Sequence, residues 1–371
     1  MSGITLKVLK VSQPIGFMYI TKIAGNVLCE LARADIRKLY KNEDYIGIQR
    51  ELDPERVKNI KKYIATSDAS FPNSIILNLA SEHIIEEGED YIVIEKNDKV
   101  FSIIDGQHRL SGFENNKVFF EVIVTIFIDL DDEKQAVLFK TINSEQKKVN
   151  PSFKYDLESY STVKTPEKMV RELTLAFAID EKSPWHERIK MSGKKDALSV
   201  RGIISQKAFA DPIVKFIYDE NDRYELRDEL KKYKEKYHME DDFDVRNVFR
   251  KNRYDNRKFI FWQFYVTDRE ELLYRILLNY FCAVHEILEE DWESRYQSVL
   301  LKTTGYNALM KLFADVYAVL YAEKNFTLDR FLEALEPLHR LSGRITAERY
   351  GASGASSTNK LYRDFNKLIM E

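Results

Sequence analysis

"FSIIDGQHRLSGF", residues 101–113, sets an apolar run against a tight polar turn and then returns to apolar spacing. The pattern predicts a strand that ends at Asp105. Gly106 then supplies either a close backbone approach or a positive φ, and a helix opens behind it with N–H groups suited to an anion. Arg109 offers a planar, permanently charged fork for phosphate oxygens, His108 a second donor that titrates near neutrality, and Gln107 an orientable amide. Asp105 could hold a metal ion or a hydroxyl of a ligand, and it is the candidate catalytic carboxylate. The same residues also allow a purely structural arrangement, in which Asp105 caps the helix and pairs with Arg109 one turn on while His108 is half buried and satisfied. Spacing alone leaves both open.

Outward from this turn, residues 1–155 alternate helices and strands. "LDPERVKNIKKYIAT" offers Asp53 as N-cap and Pro54 at the first helical position, with Val57, Ile60, Tyr63 and Ile64 on one face. "NSIILNLA" (73–80) reads as a strand, and "YIVIE" and "KVFSIID" as a hairpin around Asn97 and Asp98. "KVFFEVIVTIFIDL" (117–130) has the composition of a central strand, and "DDEKQAVLFKTIN" predicts a helix over 132–142. Residues 156–371 turn to helical periodicity. "TDREELLYRILLNYFCAVHEILEE" has Thr267 and Glu270 in capping-box spacing and is apolar over most of its circumference, as a core helix should be. The expected fold is therefore α/β (α+β), with a mixed-sheet domain over 1–155 and a mainly helical domain over 156–371.

The chain has 371 residues, 44% hydrophobic and 32% charged, with 57 Lys plus Arg against 60 Asp plus Glu. A formal net charge of −3 gives no global steering toward nucleic acid or anionic lipid, so any such binding must be local. The two cysteines, Cys29 and Cys282, lack disulfide-framework or zinc spacing. No apolar run approaches the roughly 18 residues of a membrane span, and a soluble, cytoplasmic protein is expected. A phosphate loop of the GxxxxGK[ST] type is absent.

Two further constellations carry polar chemistry. "INSEQKKVN" places Asn143, Gln146, Lys147 and Lys148 behind the 132–142 helix, where amides and ammoniums could close over a nucleotide; Asn143 could equally cap the helix. "RNVFRKNRYDNRK" (246–258) gathers Arg246, Arg250, Lys251, Arg253, Arg257 and Lys258 around Phe249 and Tyr254, a composition that suits a nucleic-acid backbone and its bases. Asp244, Asp255 and the neighbouring acids argue instead for a solvated helix. Lys360 and Arg363, after "GASGASSTNK", form a weaker basic candidate.

"DGQHRLSGF" resembles the signature of the DGQHR-domain family, which includes DndB and its relatives in bacterial DNA phosphorothioation and the DndB-like component of 7-deazaguanine DNA modification. "QRELDPERVKNIKKYI" (49–64), "FPNSIILNL" (71–79), "FKTINSEQKKVNPSFKYDL" (139–157), "TTGYNALMKLF" (303–313) and "GASGASSTNKLY" (351–362) resemble family segments in the same order. A wider resemblance is to the ParB/sulfiredoxin fold, in which a Gln-Arg segment, a helix, a strand pair and a basic phosphate-binding turn recur in this order. Gln107 stands where sulfiredoxin has its catalytic cysteine, which removes the thiolate that sulfinic acid reduction needs. The resemblance thus implies a nucleotide-phosphate site of Gly106, His108 and Arg109, with Gln49 and Arg50 beside it and the 143–148 segment near. It implies a nucleoside triphosphate, ATP first, with Mg²⁺ as a companion, and as partners DNA, the proteins of a DNA-modification operon and a second copy of the chain in a homodimer. A related Asp-Gly-Gln-Gln-Arg turn in NTP-hydrolysing nucleases keeps hydrolysis open, with Asp105 and Glu145 as the carboxylates tied to these motifs.

Overall fold

The computed structural model describes residues 3–34, 38–39, 45–46, 52–97, 99–145, 150–194, 199–240, 243–254, 257–294 and 298–370. The chain divides into two compact units, Met1–Lys148 and Val149–Glu371.

The first unit runs β1 (Gly3–Lys7), β2 (Leu9–Gln13), β3 (Gly16–Ala24), α1 (Gly25–Leu31), β4 (Ala32–Arg33), β5 (Lys38–Leu39), β6 (Tyr45–Ile46), α2 (Pro54–Ile64), β7 (Ile75–Leu79), β8 (Ile84–Glu87), β9 (Tyr91–Glu95), β10 (Phe101–Asp105), α3 (Gln107–Ser111), β11 (Glu121–Ile128) and α4 (Asp132–Glu145). Its main sheet has six strands in the order β2-β3-β11-β7-β10-β4, and a three-stranded sheet has the order β1-β9-β8. β11 is central: it pairs antiparallel with β3 and parallel with β7. Val122, Val124 and Ile126 alternate into the core, where they meet Ile75, Leu77 and Leu79 of β7 and Phe101 and Ile103 of β10. The opposite face of the sheet carries a smaller cluster of Met18, Ile104, Phe127 and Leu130, against which Leu138 and Phe139 of α4 pack. α4 runs three residues beyond its predicted end at 142.

The expected hairpin of "YIVIE" and "KVFSIID" does not form. β9 pairs with β1 and β8, whereas β10 pairs with β7 and β4 in the other sheet. The reason is burial: β10 presents Phe101 and Ile103 to one apolar cluster and Ile104 to the other, so both faces need cover that a two-stranded ribbon lacks.

The second unit is mainly helical: α5 (Pro151–Leu157), α6 (Pro166–Ile179), α7 (Gln206–Lys215), α8 (Arg223–Tyr237), α9 (Trp262–Val266), α10 (Glu270–Ile287), α11 (Glu289–Glu293), α12 (Thr303–Glu323), α13 (Leu328–Leu335), α14 (Ala347–Tyr350) and α15 (Ala355–Met370). A short parallel pair, β12 (Ile189–Lys190) and β13 (Ile204–Ser205), lies among them. α10 is the core helix its periodicity predicts, with Leu273, Ile276, Leu277, Tyr280, Phe281 and Val284 buried. The capping box does not form: Arg269 occupies the N-cap without a side-chain bond, and Thr267 Oγ1 donates to the Gln263 carbonyl instead. A hydroxyl that can bond back into the preceding helical turn is lost to the next helix. The core centres on stacked and edge-on rings, with Trp185 5.3 Å from Phe209 and 5.2 Å from Trp292, and Tyr306 4.7 Å from Phe209.

Candidate functional site

The site begins with a slip in the ladder. Ile103 lies opposite Leu77 but Asp105 lies opposite Ile76, so Ile104 is the extra residue of a β-bulge. Without the bulge, position 105 would oppose Ile75, which is buried in the main core. The bulge turns the carboxylate away from that core toward the side of Ile76. Gly106 follows with φ +103° and ψ 11°, a left-handed conformation that L side chains rarely take, and serves as N-cap of the one-turn helix α3.

α3 is held from behind. Gly112, at its end, packs so tightly on α2 that a Cβ would collide with Ile60 Cγ2. Cys29 Sγ donates to the Leu110 carbonyl at 3.2 Å, and burial pushes its thiol pKa up to about 12. In front, the loop before β7 is anchored by Phe71, whose ring lies 5.4 Å from Tyr63, 6.0 Å from Phe113 and 5.4 Å from Phe120.

Arg109 Nη2 donates to Asp105 Oδ2 at 2.8 Å and Nη1 to the Asn73 carbonyl at 2.6 Å. The i, i+4 pair that the sequence allows as a structural arrangement is therefore present. Those two bonds engage two of the five guanidinium N–H donors. His108 differs from its expected role. The Asp53 backbone N–H donates to His108 Nε2 at 3.1 Å, which requires a lone pair there. The ring is then neutral with its proton on Nδ1, and burial and the nearby Arg56 hold its pKa below the usual 6.5. His108 is a neutral donor, and its titration is displaced from neutrality.

Asp53 has a second task. Its side chain accepts the N–H groups of Glu55 and Arg56, capping α2 as its sequence predicts. One residue thus fixes both the imidazole of α3 and the start of the helix that carries Arg56.

These elements enclose a cleft of about 670 Å³ lined by Arg56, Phe71–Ser74, Ile76, Asp105–Arg109, and Phe139 and Ile142 of α4. That lies within the roughly 300–1,000 Å³ of small-molecule sites. Gln107 is buried at 6% exposure. Among the described residues, Asp105 is the one carboxylate of the lining, and Arg109 is paired with it. Arg56 makes no ion pair among the described residues, so the cleft's positive surplus sits there. Sequence reasoning missed Arg56; the signal available was its place in the first turn of the helix that Asp53 caps, three residues upstream. The lining thus combines apolar Phe139 and Ile142 of α4 with the guanidiniums of Arg56 and Arg109.

Of the other candidate residues, Gln49, Arg50, Gln146, Lys147 and Lys148 lie outside the described residues. Asn143 falls in the last turn of α4, within the helix and not at its C-cap. The 246–258 cations belong to the second unit. Arg246 Nε donates to Asp244 Oδ2 at 2.7 Å. Arg253 spans Glu229 at 2.6 Å and Glu225 at 3.2 Å while lying over the rings of Phe249 and Tyr254. Lys258 stands 3.9 Å from Asp219, and the side chains of Arg250, Lys251 and Arg257 are exposed. The segment forms a single 3-10 turn, Val245–Asn247, and no α-helix among its described residues. Of its aromatics, Phe249 is buried against Trp262, and the Tyr254 hydroxyl donates to Asp222. Lys360 Nζ donates to the Arg349 carbonyl, and Arg363 is exposed.

No helix among the described residues is long and apolar enough to cross a membrane. No curated protein and no solved structure matches the chain. A family model described as DndB, DNA-sulfur modification-associated, matches residues 6–231, a stretch that holds the bulge, the turn and every lining residue of the cleft. With more than half of its length matched, the chain belongs to the DndB family of proteins associated with DNA-sulfur modification.

Proposed function

We propose that this chain is a DNA-binding regulatory or accessory protein of a bacterial DNA-sulfur modification system, and that its cleft takes the phosphates of a nucleoside triphosphate, ATP foremost. The observation that carries this reading is the convergence of Arg56 and Arg109, from two elements, on one cleft with a glycine turn at its base. Charge-assisted bonds from guanidinium to phosphate are among the stronger ones a protein makes. Mg²⁺ would arrive as the triphosphate's companion and neutralise part of its charge, with Asp105 the lining carboxylate able to meet it.

Binding is favoured over turnover because Asp105 is already engaged by Arg109, so it is a poor free base for activating water. The alternative, a nucleoside triphosphatase that supports DNA modification with partner enzymes, is kept by the same carboxylate. Calorimetric titration with ATP, GTP and CTP tests the reading. Saturable binding of at least one nucleotide, weakened about tenfold or more by Arg56→Ala, is expected from the loss of a charge-assisted bond worth roughly 1.5–3 kcal/mol. Heats of dilution alone for all three would overturn the nucleotide role. Phosphate release by wild type and Asp105→Asn, with and without duplex DNA, separates the two readings: brisk release that the substitution abolishes would establish the triphosphatase.

A further inference from the structure

The proposed function leaves open where DNA would lie, and the 246–258 segment spends Arg246, Arg253 and Lys258 on neighbouring acids. The outer face of α2 is different. In eleven residues this helix carries Arg56, Lys58, Lys61 and Lys62 and one carboxylate, Glu55, in its first turn. Ile60 and Ile64 pack on the main core of the first unit, and Ile64 is fully buried. At 100° per residue, Lys58, Lys61 and Lys62 then share an arc of about 100° on the side away from that core. Arg56 lies on the opposite side of the helix from this arc and lines the cleft.

Some cations elsewhere in the molecule are held by acids. Lys10 pairs with Glu87, Lys22 with Glu121, Lys164 with Glu270, Arg188 with Glu293, Arg223 with Glu158 and Arg330 with Glu323. Arg56, Lys58 and Lys61 enter no ion pair among the described residues. A helix that gathers four cations and keeps three outside ion pairs bears an uncompensated field on a chain whose net charge is −3.

We infer that the outer face of α2 is the DNA-backbone docking surface, an assignment that rests on the DNA-binding half of the proposed function. Lys58 and Lys62 are about 6 Å apart along the helix axis, so flexible four-carbon stems can reach successive phosphates of one strand. The contacts are to backbone, which makes the binding sequence-tolerant and salt-dependent. Arg56 faces the cleft from the opposite side of α2, so nucleotide and DNA would take two sides of one helix.

The test is fluorescence anisotropy of a labelled duplex with the full chain across a salt series. Three variants are compared: Lys58→Gln/Lys61→Gln/Lys62→Gln, the charge-retaining Lys58→Arg/Lys61→Arg/Lys62→Arg, and Arg250→Gln/Lys251→Gln. The Gln triple should lose about tenfold or more in affinity and about 2–3 in the slope of log affinity against log salt, at roughly 0.9 per phosphate contact. The Arg triple should bind as wild type does, which excludes misfolding as the cause, and nucleotide heats should be the same for all. Wild-type binding retained by the Gln triple overturns the α2 assignment alone. Failure of wild type to bind duplex even at low salt overturns the DNA half of the proposed function with it, while the nucleotide titration stands apart.

Discussion

The DGQHR turn carries one arginine, Arg109, and the 246–258 segment carries four, and the fold treats them in opposite ways. At the turn, a bulge and a left-handed glycine bring four polar residues to the wall of a cleft, and the Asp105–Arg109 ion pair leaves a second arginine, Arg56, outside ion pairs among the described residues. In the segment, Arg253 is clamped by two glutamates and two rings, and Phe249 is buried in the core. A cation serves a ligand only where its surroundings neither neutralise it nor need it for packing. By count of cations the 246–258 segment outranks the turn; the partners reverse that order.

That contrast can be broken or sharpened by measurement. The largest effect belongs to Phe249→Ala. Truncating a buried ring against Trp262 and Tyr265 should lower stability by about 3–5 kcal/mol in denaturant melts. A variant of wild-type stability that has lost DNA binding would show the ring to be a base platform after all.

Arg109→Ala comes next. Its guanidinium holds both Asp105 and the Asn73 carbonyl, so a melt without ligand should show a loss of about 1–2 kcal/mol, together with loss of nucleotide binding. Arg56→Ala should weaken nucleotide binding comparably with stability unchanged within about 0.5 kcal/mol, since the residue is exposed and outside ion pairs. Should Arg109→Ala melt heavily and still bind nucleotide, the turn is a structural clamp and the two regions are alike.

A smaller effect is expected from pH. The folded state holds His108 below the unfolded value of 6.5, so the unfolded chain takes up the proton first as pH falls. Stability from this residue is complete above 6.5 and declines as pH drops from there toward the lowered folded value. His108→Gln should flatten the melting temperature against pH over that window; an unchanged slope would place the sensitivity elsewhere. Smallest of all is Arg246→Ala. Its partner Asp244 is close in sequence and the pair is exposed, so stability should shift by about 0.5 kcal/mol or less and DNA affinity should hold. A large drop in DNA affinity would restore the segment as an interface.

By itself the sequence determined the parts whose cause is local. Asp53 and Pro54 specify the start of α2, the alternation of 121–128 specifies a central strand, and the all-round apolar character of 270–287 specifies a core helix. Gly106 announces a left-handed turn because few other residues tolerate one, and the turn's cationic chemistry is legible from five letters. Tertiary structure decided the rest. Only the register against β7 turns Asp105 out of the core, only the docking of α3 on α2 makes His108 an acceptor and so neutral, and only the closing of α4 over the sheet brings Phe139 and Ile142 to Arg56. Strand partners, protonation states and unspent charges depend on residues dozens of positions apart, whereas caps, periodicity and backbone sterics act within a few residues. For that reason the second class can be read along the chain and the first requires the fold.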